Sequence, residues 1–346
     1  MRGIRGMRIL NGGTTLNITI LGAGSFGTAM AVHLASLGHN VKMWTIDGKQ
    51  AETINGSHRN NFCFFDTALP VNIAATTGLR ESLDFSDRYI MAIPTQFERE
   101  VCGKIAALAP APGHMLNLAK GIEISTGNLL HKVHGELCPQ MVYSALSGPS
   151  HAEEVLIDCP TTVALASGDE EEAKSWQKLL NGGNFRVYTS TDVIGLEVGG
   201  ATKNIYAIAA GISKALKLGD NALAALASRG LAEIMRFGAK LGASPLTLSG
   251  LAGVGDLMVT CYSMHSRNFR LGLAVGSGMS MDEAVEELGQ VAEGAYTVRA
   301  VVENSKKFDV EMPLADAVYR VLYKDEDPHE LLKELFARPV KPEMRL

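Results

Sequence analysis

The stretch LNITILGAGSFG, residues 16–27, sets the expectation for the fold. Its first half is a short apolar strand, and its second half spaces Gly22, Gly24 and Gly27 as G-x-G-x-x-G at the start of a predicted helix. A second apolar strand, residues 40–44, follows that helix, which is the context that a dinucleotide-binding loop requires. The first glycine permits the tight turn, the second lets the backbone approach a pyrophosphate, and the third lets helix and strand pack closely. The sequence therefore predicts a dinucleotide at the amino end of this helix, where amides and the helix dipole favour phosphate.

The identity of the dinucleotide depends on the residues after the second strand, which read Thr45-Ile-Asp-Gly-Lys49. A carboxylate at this point binds the ribose 2′-hydroxyl of NAD, whereas a basic residue accepts the 2′-phosphate of NADP. Asp47 would serve NAD if the strand continued by two residues, and Lys49 would serve NADP. Both alternatives stay open, so the predicted cofactor is NAD or NADP.

The chain of 346 residues is long enough for two domains of about 100–200 residues each. Strands alternate with helices in its first half. The predicted strands are residues 16–21, 40–44, 88–93, 114–118, 141–146 and 161–166. Beyond about residue 192 only helical spacing remains. The helices predicted there are residues 194–213, 222–241, 268–275, 281–288 and 297–306.

This change of pattern divides the chain. It predicts an α/β Rossmann-type domain with a parallel sheet over residues 16–192, followed by an all-α domain over residues 193–346. Residues 1–15 are expected to form a loose extension. Their basic start resembles the first part of a signal peptide, but Asn11, Gly12 and Gly13 interrupt the apolar stretch that should follow.

Composition excludes several classes of function. The net charge of -5 is spread along the chain without a basic block, which argues against nucleic acid as a partner. No stretch approaches the roughly 18 apolar residues that span a bilayer. The five cysteines form no C-x-x-C pair and the histidines no H-E-x-x-H motif, so no metal site is predicted. Reduced thiols in a cytosolic protein are expected, with His131 and His134 as surface residues.

Lys203 lies in a nearly apolar predicted helix, where a lysine is unusual. Its helix face is shared by the small residues Gly199, Ala207 and Ala210, which predicts a hollow that another group enters. Desolvation lowers the pKa of a lysine and suits it to acid/base work. A structural lysine that bridges to the other domain is an equally weighted alternative.

Residues that follow two predicted strands are candidates for ligand contact. Lys120 comes directly after one strand, and Gly148 and Ser150 come after the next. In open parallel sheets, ligands lie outside the carboxyl ends of the strands. These residues are therefore expected to meet a substrate, although a surface lysine would look the same.

The helical half contains a predicted anion site. Ser266 reads as the N-cap of a helix whose first turn carries Arg267 and Asn268, and dipole, amides and guanidinium together favour a phosphate. Upstream, the segment GVGDL places Asp256 in a predicted glycine-flanked bend. Asp256 is expected to pair with Lys203 or with substrate hydroxyls, or else to cap a following helix.

Seven segments, in order, identify a family that the chain resembles. They are GAGSFGTAMA, NLAKGIE, LSGPSHAEEV, GGATKNIYAIAAGI, GDNALAALASRGLAEI, GLAGVGDLMVTCYSMHSRN and VAEGAYTV. Together they are similar to bacterial NAD(P)-dependent glycerol-3-phosphate dehydrogenase over about residues 17–323. The resemblance implies a Rossmann domain, a helical domain and an active site between them.

The resemblance also implies roles for individual residues. Implied cofactor contacts are Gly22, Gly24, Ser25, Phe26, Gly27, Ile46, Lys120, Ala152, Arg267, Val291 and Glu293. Implied substrate contacts are Lys120, Gly148, Ser150, Lys203, Asp256, Ser266, Arg267 and Asn268. Lys203 matches the proton-transferring lysine, with Lys120 and Asp256 as its catalytic partners.

Two positions depart from the family pattern. His151 stands where Phe is usual, and Ile46 stands where many members carry His or Arg, which puts a preference for NADP in doubt. The implied reaction interconverts dihydroxyacetone phosphate and glycerol 3-phosphate and feeds glycerophospholipid synthesis, in a cytoplasmic homodimer. The alternatives are a 6-phosphogluconate- or hydroxyacid-type dehydrogenase and a non-catalytic NAD(P)-sensing protein.

Overall fold

A computed structural model describes residues 14–289, 292–340 and 342–343. Its centre is a sheet of eight strands in the order β3-β2-β1-β4-β5-β6-β7-β8. The strands are β1 (Asn17–Leu21), β2 (Asn40–Trp44), β3 (Ile73–Thr76), β4 (Arg88–Met91), β5 (Gly113–Asn117), β6 (Met141–Ser147), β7 (Thr161–Ser167) and β8 (Phe185–Ser190). The chain order reverses between β1 and β4, and ligands of such sheets bind at this reversal, beyond the carboxyl ends of the strands.

The sheet is mostly parallel, as the sequence predicts, and contains one antiparallel pair. Strands β6 and β7 pair antiparallel, while the other neighbouring strands pair in parallel. Residues 148–160 connect β6 to β7 through the five-residue helix α6 and its flanking loops, without the longer crossover helix that usually joins parallel strands. The chain therefore reverses direction here, directly after the Gly148–Ser150 loop.

Two strands were missed from the sequence for different reasons. Strand β3 has only four residues, two of them alanine, and so gives a weak pattern. Strand β8 buries Phe185 and Val187 and exposes Arg186 and Tyr188, an alternation typical of a strand with one solvated face. That alternation could have been recognised in the sequence.

Helices of the first half connect the strands. They are α1 (Ser25–Ser36), α2 (Gly48–Ser57), α3 (Leu79–Phe85), α4 (Glu98–Leu108), α5 (Leu130–Leu137), α6 (Ala152–Leu156) and α7 (Glu170–Leu180), with a 3₁₀ turn at Thr95–Phe97. Helix α1 begins directly after Gly24 and is followed by Gly38, whose φ of 91° continues the chain in a left-handed conformation. The predicted strand, loop and helix at residues 16–37 are thus present, and the helix starts at Ser25, two residues before the predicted Gly27.

From residue 193 onward the described chain is helical. The helices are α8 (Val193–Ala215), α9 (Asp220–Leu241), α10 (Pro245–Leu248), α11 (Asp256–Tyr262), α12 (Arg267–Gly276), α13 (Met281–Leu288), α14 (Glu293–Lys307), α15 (Pro313–Lys324) and α16 (Pro328–Ala337), with a π-helical segment at Leu251–Gly255. The five helices predicted in this half correspond to α8, α9, α12, α13 and α14. The predicted fold class, a Rossmann-type domain followed by a helical domain, is confirmed.

The two halves have separate hydrophobic cores. One surrounds β1 and α1, where Ile18, Ile20 and Met30 are fully buried, and the other surrounds α8, where Ile205 and Ile208 are fully buried. Of the described helices, not one combines the length and apolar character needed to cross a membrane. Of the predicted extension at residues 1–15, residues 1–13 lie outside the described part of the chain.

Candidate active site

The loop between β1 and α1 has the conformation that its three glycines predict. Gly22 has a φ of 122°, and a Cβ there would lie 2.5 Å from the carbonyl oxygen of Ala92. A Cβ on Gly27 would collide with the carbonyl oxygen of Gly22. By contrast, a Cβ on Gly24 would meet no atom within 4 Å. The open space over Gly24 lies beside the amino end of α1, where a pyrophosphate has access to free helix amides.

These features fit a dinucleotide. Ser25 and Phe26 form the first turn of α1, and Phe26 packs with Ala152 against the edge of the sheet-side core. Ala152 is the first residue of α6, so α1 and α6 place both implied cofactor residues on the same side of the sheet. The loop therefore supplies backbone donors, and the side chains beside it supply a partly apolar wall.

The end of β2 does not decide between NAD and NADP. Strand β2 stops at Trp44, so the extension by two residues that would bring Asp47 to the ribose does not occur. Asp47 instead caps α2, because its Oδ1 accepts hydrogen bonds from the amides of Lys49 at 2.8 Å and Gln50 at 3.3 Å. Ile46 projects into solvent with 85% of its surface exposed and offers no charge to a 2′-phosphate.

The predicted catalytic residues meet in one cluster. Lys203 Nζ donates to Asp256 Oδ1 at 2.5 Å, and Lys120 Nζ donates to Asp256 Oδ2 at 2.7 Å. Lys203 also donates to Thr260 Oγ1 at 2.8 Å. Asp256 is only 1% exposed and Lys203 only 7%. A buried carboxylate is thus held between two ammonium groups, one from each half of the chain.

Burial and charge act in opposite directions on this cluster. Burial lowers the pKa of Lys203 to about 8, although the neighbouring Asp256 carboxylate raises it in part. Burial would raise the pKa of Asp256, but Lys120 and Lys203 together bring that pKa below its usual value. Asp256 is therefore ionised, while Lys203 titrates close to neutral pH.

The local structure around Asp256 differs from the predicted bend. Residues 251–255 form a π-helical segment that leads into α11, and Asp256 is the first residue of α11 rather than its cap. The segment packs closely, because a Cβ on Gly253 would collide with the carbonyl oxygen of Leu248. Thr260 was missed from the sequence, although it follows Asp256 by four residues and so lies on the same helix face.

Lys120, Gly148 and Ser150 meet beyond the carboxyl ends of β5 and β6, as predicted. Asn117 Oδ1 accepts a hydrogen bond from the amide of Ala119 at 2.9 Å and so fixes the loop that carries Lys120. Lys120 Nζ donates to the carbonyl oxygen of Gly148 at 3.0 Å, and Ser150 Oγ donates to the same oxygen at 2.9 Å. The amide of Gly148 faces Asp256 Oδ2 at 3.3 Å.

The start of α12 has the local structure on which the anion-site prediction depends. The N-cap role of Ser266 is confirmed, because its Oγ accepts a hydrogen bond from the amide of Phe269 at 3.2 Å. Arg267 is the first helical residue and is exposed. Asn268 is buried, and its Oδ1 accepts a hydrogen bond from the amide of Gly294 at 2.8 Å. The helix amino end and the guanidinium of Arg267 are thus open to an anion.

Glu293 links the two halves near the end of β4. Its Oε1 accepts a hydrogen bond from the amide of Thr95 at 3.1 Å. Burial raises the pKa of Glu293 to about 7. Val291, the other cofactor residue implied for this segment, lies outside the described residues.

The expectation that His131 and His134 lie on the surface is wrong for His134, and His131 is half-buried. His134 is buried, with Nε2 2.8 Å from Glu98 Oε2, and His131 Nδ1 lies 2.5 Å from Glu197 Oε2. Tyr143 also donates to Glu197 Oε1 at 2.6 Å. Because α5 packs against α4 and the sheet, each histidine contacts a carboxylate. The contacts of Glu197 with His131 and Tyr143 connect α8 to the sheet domain.

The fold and the site together define a class of protein. A glycine-rich loop at the reversal point of a mostly parallel sheet binds a dinucleotide. A buried lysine with a pKa of about 8 lies at the junction with a helical domain and is suited to proton transfer. These features are those of a nicotinamide-dependent dehydrogenase.

Comparison with known proteins specifies the family. Residues 17–173 match the family model for the NAD-dependent glycerol-3-phosphate dehydrogenase N-terminus, and residues 192–333 match the corresponding C-terminus. The glycerol-3-phosphate dehydrogenase [NAD(P)+] of Staphylococcus haemolyticus is 45% identical over 329 residues, which cover 94% of this chain and 99% of the relative. The chain belongs to the NAD-dependent glycerol-3-phosphate dehydrogenase family.

Solved structures agree with this assignment. The glycerol-3-phosphate dehydrogenase of Coxiella burnetii has a TM-score of 0.90 and 39% identity, and the match covers 94% of this chain and 99% of that one. The Saccharomyces cerevisiae enzyme has a TM-score of 0.80 and 27% identity, over 92% of this chain and 99% of that one. The family assignment displaces the hydroxyacid-type and the non-catalytic alternatives.

The open space over Gly24 allows the dinucleotide site to be tested. We expect Gly24→Val to leave the Tm of the cofactor-free protein nearly unchanged, since a Cβ there meets no protein atom. It should weaken NADH binding by about 10-fold or more, equivalent to about 1.4 kcal/mol, because the side chain fills the pyrophosphate position. Fluorescence titration with NADH measures the Kd.

Gly22→Ala serves as the matched control for this variant. Its Cβ would meet the Ala92 carbonyl and its φ is positive, so it should lower the Tm. Unchanged NADH affinity in Gly24→Val would contradict the placement of the dinucleotide.

Proposed function

We propose that Lys203 is the acid/base of a reaction that interconverts dihydroxyacetone phosphate and glycerol 3-phosphate with NAD(P)H. The observation that carries this proposal is the Asp256 carboxylate, which lies 2.5 Å from Lys203 Nζ and 2.7 Å from Lys120 Nζ. A pKa of about 8 leaves Lys203 able both to donate and to accept a proton near neutral pH. The family's reaction requires a proton donor when the ketone is reduced and a proton acceptor when the alcohol is oxidised.

Lys203 moves the proton at the oxygen of the reacting carbon. In reduction its Nζ donates to the developing alkoxide, and in oxidation the neutral amine takes the hydroxyl proton. Asp256 and Thr260 direct the ammonium by accepting two of its three hydrogen bonds. When bound, the nicotinamide supplies or accepts the hydride, and the protein orients the two reacting carbons.

Other residues of the cluster hold the substrate. We assign the phosphate to the amino end of α12, where Arg267 and the first-turn amides present positive charge. Ser266 and Asn268 shape this turn through their own hydrogen bonds. Lys120, which contacts the Gly148–Ser150 loop and Asp256, adds a further positive charge to the site.

The proposed cofactor residues line the other side of the cleft. Gly22, Gly24 and Gly27 with the amino end of α1 hold the pyrophosphate, and Phe26 and Ala152 form the adjoining wall. Glu293 closes this side through its contact with Thr95. Burial lowers the pKa of Arg267, and the nearby Glu293 carboxylate partly offsets this shift, which supports a role for Arg267 near both ligands.

The location and metabolic role follow from chemistry. The five cysteines are present as free thiols, which supports a reducing compartment, and we propose the cytoplasm. Glycerol 3-phosphate carries two free hydroxyls and one phosphate, so it is a suitable acceptor for acyl groups. We propose that the product feeds glycerophospholipid synthesis.

A homodimer is the proposed assembly. An apolar groove of about 470 Å³ lies between α8, α9, α15 and α16, with Leu226, Val318 and Leu332 in its wall. Phe336 of α16 also lines it and is 81% exposed. Exposed apolar patches of this kind mark interaction sites, and a second copy of the chain is the proposed occupant.

Phe336→Asp tests the dimer. A carboxylate in an apolar interface would be desolvated without a partner, so we expect the variant to sediment as a monomer at micromolar concentration. The control is Leu246→Asp, at an equally exposed apolar residue of α10 outside the groove, which should stay dimeric. If Phe336→Asp dimerised with wild-type affinity, the groove would not be the dimer interface.

Lys203 is tested by the pH dependence of kcat/KM. Ketone reduction needs protonated Lys203, so kcat/KM for dihydroxyacetone phosphate should be constant below about pH 8 and fall above it. Oxidation of glycerol 3-phosphate needs the neutral amine and should rise towards the same pH. Lys203→Met should lower both rates by about 10²–10⁴-fold and remove this ionisation, with the Kd for NADH little changed.

Lys214→Met, at an exposed lysine near the end of the same helix, is the control and should behave as wild type. If Lys203→Met kept more than about a tenth of the wild-type kcat, the assigned role would be wrong.

Arg267→Ala separates phosphate binding from chemistry. Loss of a charge-assisted contact worth roughly 1.5–3 kcal/mol should lower kcat/KM for dihydroxyacetone phosphate by about 10–150-fold. Dihydroxyacetone lacks the phosphate, so its already low kcat/KM should hardly change. Equal losses for the two substrates would instead make Arg267 a structural or cofactor residue.

A further inference from the structure

One histidine at the site has no part in the mechanism above. His151 follows Ser150 in the loop after β6 and occupies the N-cap position of α6. Its ring packs against the ring of His265, with centroids 5.7 Å apart and planes inclined by 48°. His265 directly precedes Ser266, the cap of α12. The imidazole of His151 therefore lies between the two loops that carry the proposed substrate residues.

The ring nitrogen Nε2 of His151 is buried and has no hydrogen-bond partner in the described part of the chain. Leaving a buried polar atom unpaired is costly, and each such atom in a folded protein calls for an explanation. Lys203 is close enough for its charge to lower the pKa of His151. The unpaired nitrogen is thus in the electrostatic neighbourhood of the proton-transferring group.

The surroundings of the ring determine what Nε2 can bind. The backbone of Val259 in α11 lies close enough to the imidazole to act on its pKa, in the upward direction. The tautomer with its hydrogen on Nδ1 leaves the unpaired Nε2 as the free acceptor of the ring. In the neutral imidazole, Nε2 is then an acceptor and requires a donor from the ligand.

The charge state of the His151 imidazole supports its role as a hydrogen-bond acceptor. Burial lowers the pKa of His151, and the Lys203 ammonium lowers it further, while Glu153, Glu154 and the Val259 carbonyl act in the opposite direction. The net shift is downward from an ordinary value that already lies below neutral pH. The imidazole is therefore neutral at pH 7, and a neutral acceptor beside a cation avoids the repulsion that a second positive charge would bring.

We propose that His151 Nε2 accepts a hydrogen bond from the primary hydroxyl that dihydroxyacetone phosphate and glycerol 3-phosphate share. The dianionic phosphate has no hydrogen to donate, and the oxygen of the reacting carbon is the one that Lys203 serves. The primary hydroxyl is the remaining donor on either substrate. This assignment rests on the proposed function, and it makes His151 a residue that selects substrates carrying that hydroxyl.

A pair of ketones tests the proposal. Hydroxyacetone phosphate retains the ketone and the phosphate of dihydroxyacetone phosphate but has a methyl group in place of the hydroxymethyl group. His151→Phe keeps a planar ring and removes the acceptor. It should lower kcat/KM for dihydroxyacetone phosphate by about 10-fold and leave hydroxyacetone phosphate within about twofold, since a buried hydroxyl loses its partner only in the first case.

Two further variants serve as controls. His265→Phe keeps the ring contact without touching Nε2, so the ratio of the two kcat/KM values should stay at the wild-type level. His151→Gln offers an amide oxygen at similar reach and should recover most of the discrimination. If hydroxyacetone phosphate turns over too slowly, its Ki as a competitive inhibitor replaces kcat/KM in the comparison.

The outcomes are distinct. Equal losses on both ketones in His151→Phe would mean that the ring is structural, and no loss on either would mean that Nε2 does not contact the substrate. Either result overturns the proposal. Should His151→Phe fail to fold, His151→Leu removes the same acceptor. Failure of the proposed function would be recognised by a different result. If Lys203 were not the acid/base, Lys203→Met would leave the turnover of both ketones intact.

Discussion

The site is organised around a buried carboxylate that has to be neutralised. Asp256 is 1% exposed, and an ionised carboxylate in such surroundings costs several kcal/mol unless charged partners compensate. Lys203 and Lys120 supply that compensation, and they come from α8 and from the loop after β5. Removing either lysine would leave a smaller compensating charge. Because both lysines must stay beside Asp256, the pairing holds α8, α11 and the sheet edge in one arrangement. The same pairing leaves one net positive charge in the cluster, which suits a phosphorylated substrate.

This arrangement requires backbones to approach closely, and α8 is built for it. A Cβ on Gly200 would lie 2.6 Å from Ser147 Oγ, and one on Gly199 would collide with the Ala252 carbonyl. Further along, Gly211 lies against the backbone of α12 in the same way. The small residues around Lys203 therefore do not surround an empty hollow. Their small size lets the π-helical segment and α11 pack closely against α8, and this packing brings Asp256 and Thr260 next to Lys203.

A second set of contacts joins the halves away from the chemistry. Glu197 of α8 pairs with His131 of α5 and accepts a hydrogen bond from Tyr143 of β6. Glu293 of α14 accepts a hydrogen bond from the amide of Thr95. Burial raises the pKa of Tyr143 well above its usual value, so the phenol stays a donor across the physiological range. These contacts tie α8 and α14 to the sheet domain on either side of the lysine cluster's helix.

The sequence by itself determined the features that depend on local spacing. The glycine loop, the change from alternating strands to helices, and the cap at Ser266 are encoded within short segments, because turn geometry and helix capping depend on neighbouring residues. Tertiary structure alone decided the rest. It reversed β7, buried His134 against Glu98, and added Thr260 to the lysine cluster. It also converted three separate candidates, Lys120, Lys203 and Asp256, into a single charged group. Pairings between residues distant in sequence depend on how whole elements pack, and that packing is fixed by the summed burial of many side chains rather than by any one motif.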